Sequence, residues 1–98
     1  MAFEDDYEFE ILKNEAENLV IEELGKQLKE YKGSICRCNT CVLDMATMAL
    51  NGVKPLYHVS LLGTQYAAQA MSDPSYAASL ENSVARAIEK IQKNPAHD

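Results

Sequence analysis

A chain of 98 residues with 47% hydrophobic residues suffices for one core and is too short for two. Its net charge of −6 argues against broad duplex-DNA binding, which needs a stripe of Lys and Arg to displace phosphate counterions. Its longest apolar runs, such as 45–50, fall far short of the ~20 residues that span a bilayer.

The amino terminus reads "MAFEDDYEFE", acidic where a signal peptide is basic and then apolar. A cytoplasmic location with reduced thiols is expected, and an odd number of cysteines fits it. Residues 1–9, with Phe3, Tyr7 and Phe9, are read as a flexible acidic arm, with a first helical turn as the alternative. Residues 10–94 are read as a single helical domain.

From about Glu10 to Tyr31 the pattern is helical. Leu12, Ala16, Leu19, Val20, Leu24, Leu28 and Tyr31 recur at three- and four-residue spacing, with Glu, Lys and Gln on the other face. Gly25 weakens such a helix by about 1 kcal/mol relative to Ala, so a neighbouring backbone is expected to approach closely there. Lys32 and Gly33 give a cationic last turn and a stop.

A second helix is expected over about 40–50, capped by Asn39 or Thr40 and ended by Asn51-Gly52. Its residues Val42, Leu43, Met45, Ala46, Met48, Ala49 and Leu50 are apolar nearly all round, the pattern of a helix buried mid-fold. "VKPLYHVS" then alternates as an extended segment. As one strand it must pair with a symmetry mate or run extended across the helices.

Ser60 and Gly63-Thr64 mark a turn into the helical stretch "TQYAAQAM". Asp73-Pro74 starts a last helix that runs to about Lys93, with Ala77, Leu80, Val84, Ala87, Ile88 and Ile91 on one face, and Asn94-Pro95 closes it. The fold class is therefore all-α, about four helices with one short extended segment. Long apolar stripes on so small a domain are expected to finish burial against a second copy, as a homodimer.

All three cysteines, Cys36, Cys38 and Cys41, fall in the loop "SICRCNTCVLD". Three readings compete there: a metal site, a redox thiol cluster, or inert packing as small hydrophobes. Unpaired amides and the dipole at a helix entrance favour thiolates, and Arg37 adds positive charge. The Cys-x-x-Cys portion has the geometry that brings two sulfurs onto zinc. Three sulfurs leave a closed tetrahedral site one ligand short. His58 is the first candidate for the fourth, ahead of His97, an acidic side chain, a partner's ligand or water.

A cysteine–histidine catalytic pair with Asp44 as orienter would need mutual hydrogen-bond reach, and so short a chain leaves little room for a cleft. No enzymatic role is expected. The group Lys54, Pro55, Tyr57 and His58 combines charge and ring as single-strand nucleic-acid sites do; the plainer alternative is a packed Tyr57 and a solvated Lys54.

The long helix with "NLVIEEL", then "CRCNTCVLDMATMALN" and "KPLYHVS", resembles the late-competence protein ComFB family from about Asn14 to Lys93. The match is most specific over Cys36–Val59, with Asp44, the Ala49-Leu50-Asn51 ending, Pro55 and Tyr57 in order. The resemblance implies a small, mostly helical, non-enzymatic homodimer with Cys36, Cys38 and Cys41 as zinc ligands of structural role. Related proteins are receptors for cyclic dinucleotides, so cyclic di-GMP or cyclic di-AMP and a regulatory protein partner are the implied ligands. Arg37 and Lys54 for phosphates and Tyr57 for a base are the candidate contacts, a choice made on their chemistry. The alternatives are an interaction protein accessory to competence and DNA uptake, without a nucleotide, and a thiol redox sensor.

Overall fold

The computed structural model describes residues 2–59 and 61–95. The turn residue Ser60 and the alternative ligand His97 lie outside the described residues. Four helices are present among them: α1 (Ala16–Glu30), α2 (Asn39–Asn51), α3 (Gly63–Met71) and α4 (Pro74–Lys93). Two short strands, β1 (Lys13–Asn14) and β2 (Tyr57–His58), complete the fold. The all-α expectation holds, with this small sheet added.

The first helix begins six residues later than its periodicity suggests. Asn14 Oδ1 accepts hydrogen bonds from the Ala16 amide (3.1 Å) and the Leu56 amide (2.7 Å). One side chain thus starts α1 and ties in the distant extended segment. β1 and β2 pair antiparallel, Lys13 opposite His58 and Asn14 opposite Tyr57. The extended segment finds its partner within its own chain, in residues that apolar spacing had assigned to the helix. Before β1, two 3₁₀ turns (Phe3–Asp6 and Phe9–Ile11) bring Phe3 and Tyr7 to 4.8 Å between ring centroids.

Beside the small sheet, His58 Nε2 lies 3.0 Å from Glu15 Oε2, and the His58 ring stacks on Tyr66. The His58 hydrogen bond, then that of Asn18, holds the Glu15 carboxyl below its usual pKa. His58 has a side chain only 6% exposed, and its Nδ1 has no hydrogen-bond partner among the described residues.

Ala16, Val20, Leu24 and Leu28 form the inward stripe of α1, facing Cys41, Met45 and Ala49 of α2 and Leu80, Val84, Ala87, Ile88 and Ile91 of α4. Asp73 caps α4 by accepting from the Ser75 amide at 2.9 Å, with Pro74 at its first position. The helix α4 lies across both α1 and α2, most extensively across α2. Ser83, buried in that seam, donates to the Ala49 carbonyl at 2.9 Å, and Tyr76 donates to the Lys54 carbonyl at 2.8 Å.

Two expectations about packing are corrected. The helix α2 is not buried all round: Leu43 is 56% exposed, and Met48 is exposed as well. Nor does a backbone approach Gly25, where an added Cβ would meet nothing within 4 Å. A close approach falls instead at Gly52, where an added Cβ would collide with Ser83 Oγ.

These two glycines should therefore respond in opposite ways. Gly25→Ala is expected to stabilise the fold by about 0.5–1 kcal/mol through helix propensity and reduced unfolded-state entropy. Gly52→Ala should cost about 1–3 kcal/mol by overpacking the α2–α4 seam. Urea unfolding of the two variants beside the parent protein checks both signs.

Candidate metal centre

The loop from α1 to α2 is held at both ends by side chains from its own motif. The helix α1 ends near Tyr31, and Gly33 turns the chain with φ 114°, a value that favours glycine. Arg37 reaches back to α1: its Nη2 donates to the Leu28 carbonyl at 2.6 Å, and its Nη1 to the Ile35 carbonyl at 3.4 Å. The Leu28 carbonyl also accepts from the Tyr31 amide at 3.4 Å, and a guanidinium on a last-turn carbonyl complements the helix dipole. Arg37 is thereby engaged in closing the loop.

Cys38, not Asn39 or Thr40, is the N-cap of α2, and its Sγ accepts from the Cys41 amide at 3.4 Å. Sulfur does here what a serine, threonine, aspartate or asparagine oxygen does at many helix starts. Cys41 is buried in the core, Cys36 is half-buried and Cys38 is exposed. The three Sγ atoms lie within 4.8 Å of one another.

A tetrahedral zinc with Zn–S bonds of ~2.3 Å holds its sulfurs about 3.8 Å apart. The cluster therefore needs only a small inward movement to close on an ion. No disulfide links the cysteines. The Cys38 amide and the other two sulfurs lower the pKa of Cys36. Burial, followed by the neighbouring sulfurs, pushes the Cys41 thiol up to about 12. Three sulfurs this close favour a bound cation, since a metal drives deprotonation of its thiol ligands. The donor set suits a thiophilic ion.

His58 does not join this set. Among the described residues, the side chains placed to share an ion are the three cysteines. His58 pairs with Glu15, just before α1, whereas Arg37 of the loop reaches Leu28 in the last turn. Thirteen helical residues separate those points by about 20 Å. The same distance prevents a cysteine–histidine pair within one chain.

The three proposed nucleotide contacts are not brought together either. Arg37 precedes α2, while Lys54 and Tyr57 follow it, and the 13 residues of α2 make a rod of about 20 Å. Lys54 is exposed, and Tyr57 is exposed on β2 beside a depression that also includes Pro55 and Asn51.

A larger groove, of about 730 Å³, opens between α2 and α4. Met48, Gly52 and Ser83 help line its mainly apolar wall; its cations are Arg86, Lys90 and Lys93, and Glu89 is its one carboxylate. It adjoins the carboxyl-terminal half of α2, away from the cysteines at the other end. The sequence carried its signal: cations at 86, 90 and 93 have the four- and three-residue spacing of one helix face. Lys90 and Lys93 also complement the dipole at the end of α4, the ordinary role of such residues.

The fold and the cluster thus define a small helical protein with a three-thiol centre at an interhelical loop. The family model for late competence development protein ComFB matches residues 13–95. The chain belongs to the ComFB family. A solved structure of the late competence protein ComFB from Bacillus subtilis is similar in fold, with a TM-score of 0.73 and 21% identity, covering 87% of this chain and 92% of that one. No curated protein matches the chain by sequence. No helix among the described residues is long and apolar enough to cross a membrane.

Zinc is expected at one equivalent per chain in the reduced protein, and chelation should lower the melting temperature by at least about 5 °C. Cys38→Ser separates the two roles of that side chain, because serine keeps the cap and removes the thiolate. The variant should fold and lose zinc, as measured by elemental analysis beside circular dichroism.

Proposed function

We propose that the protein is a dimeric, non-enzymatic cytoplasmic regulator that binds a cyclic dinucleotide and passes the signal to a protein partner. Zinc on Cys36, Cys38 and Cys41 acts as a structural clamp, with its fourth ligand supplied by water or by a second copy. The observation that carries the nucleotide reading is the α2–α4 groove, with three cations around an apolar wall in a chain of net charge −6. A cyclic dinucleotide presents two phosphodiesters and two flat bases. Arg86, Lys90 and Lys93 suit the former, and the wall near Met48 suits a base. Lys54 and Tyr57 form a separate surface, and Arg37 serves the loop.

A second reading, an interaction protein accessory to DNA uptake, draws on the exposed apolar residues Val59, Leu61 and Leu62 between β2 and α3. Such a patch suits a protein partner and needs no nucleotide.

Calorimetric titration with cyclic di-GMP and cyclic di-AMP separates the two. Saturable binding of one of them is expected, weakened roughly tenfold or more by Arg86→Glu with Lys90→Glu. No heat from either ligand at high micromolar concentration would remove the nucleotide reading and leave the second.

A further inference from the structure

The first twelve residues lie outside the stretch that matches the family, and their composition is unlike the remainder of the chain. Glu4, Asp5, Asp6, Glu8 and Glu10 place five carboxylates there, with no Lys or Arg before Lys13. They account for all but one unit of the net charge of −6. No described cation forms an ion pair with them; the ion pairs among described residues are His58–Glu15 and Lys93–Glu89.

Within this acidic segment Phe3, Tyr7 and Phe9 gather, with centroids 4.8–6.1 Å apart. All three rings are more than half exposed. Burial of aromatic surface is a large source of stability, so an exposed cluster of three rings marks a surface that meets a partner.

The α2–α4 groove is the complement of this arm. Its wall is mainly apolar, and its charged lining is three cations to one anion. The arm is three rings among five anions. In its own chain the arm lies elsewhere, since Tyr7, Phe9, Ile11 and Leu12 share a depression with Val59, just past β2. The groove is therefore open to an arm from outside.

We infer that the acidic aromatic arm of a second copy docks in the α2–α4 groove, its rings against the wall near Met48 and its carboxylates on Arg86, Lys90 and Lys93. Two copies exchanging arms fill both grooves, the self-complementary arrangement of a two-fold dimer. The arm occupies the groove in the absence of nucleotide, and any anionic ligand of that groove excludes it. The docking stands whether or not such a ligand exists.

Zero-length carbodiimide coupling joins a carboxylate to a lysine amine only when the two are in contact, and it tests the docking on the full-length reduced protein without nucleotide. Equal amounts of ¹⁴N- and ¹⁵N-labelled protein are mixed, coupled and mapped by mass spectrometry. Arm peptides are expected joined to Lys90 or Lys93 in mixed-isotope pairs, and Lys90→Gln with Lys93→Gln should abolish those pairs. Arm peptides coupled only within one chain, or only to Lys13, Lys26, Lys29, Lys32 or Lys54, would overturn the inference.

Sedimentation equilibrium of the variant Glu4→Gln, Asp5→Asn, Asp6→Asn, Glu8→Gln gives an independent reading, since these exposed positions bear no part of the core. The dimer dissociation constant should rise roughly tenfold at low salt and less at high salt. An unchanged constant at low salt would likewise overturn it.

Discussion

A helix leaves four carbonyls unpaired at its end, and the next leaves four amides unpaired at its start. Where two antiparallel helices meet through a short loop, those groups must find partners or the angle between the helices is not defined. Here Arg37 and the Tyr31 amide share the Leu28 carbonyl, and Cys38 accepts from the Cys41 amide. Cys41 is buried in the core that Leu28 and Met45 share. The antiparallel seating of α1 on α2 follows from that loop, and α4 can bury its apolar face only across the pair so formed. A metal ion on the three sulfurs would stiffen the same bend, because an ion that prefers the native arrangement stabilises it. Structure and metal chemistry converge on six residues.

Charge is separated along this molecule in a way the net value conceals. The acidic excess sits almost entirely before Lys13, whereas the last three turns of α4 carry Arg86, Lys90 and Lys93 beside an open groove. On the readings proposed above, an anionic second messenger and an acidic arm would be alternative occupants of one electropositive, partly apolar surface. Their mutual exclusion would couple ligand binding to self-association without any change inside the four-helix core. The sulfur centre lies at the far end of α2.

Much of the helical core was legible because burial imposes its period. The inward stripe of α1, from Ala16 to Leu28, and that of α4, from Leu80 to Ile91, were read as they stand, and Asp73-Pro74 marked its helix start correctly. The misreadings have particular causes. Leu12 extends the α1 stripe in register, so spacing alone carried the helix back to Glu10; only the long-range bond from the Leu56 amide to Asn14 shows why the chain is extended there. The apolar composition of α2 suggested full burial, yet α1 and α4 cover only part of its circumference and leave Leu43 and Met48 outside. A sulfur cap at Cys38 is not among the residue types that announce a helix start, so Asn39 and Thr40 drew attention from it. His58 was proposed as a fourth ligand on chemistry alone; its Glu15 partner comes from 43 residues away in sequence. The groove cations lie on the face of α4 opposite the stripe that periodicity picks out.

The account stands on the three sulfurs acting together on one ion at the α1–α2 bend. X-ray absorption at the zinc edge, on reduced protein as purified, addresses this without altering a residue. Three sulfur scatterers at ~2.3 Å and one further ligand are expected. A first shell of nitrogen and oxygen alone, or protein devoid of bound metal, would contradict it.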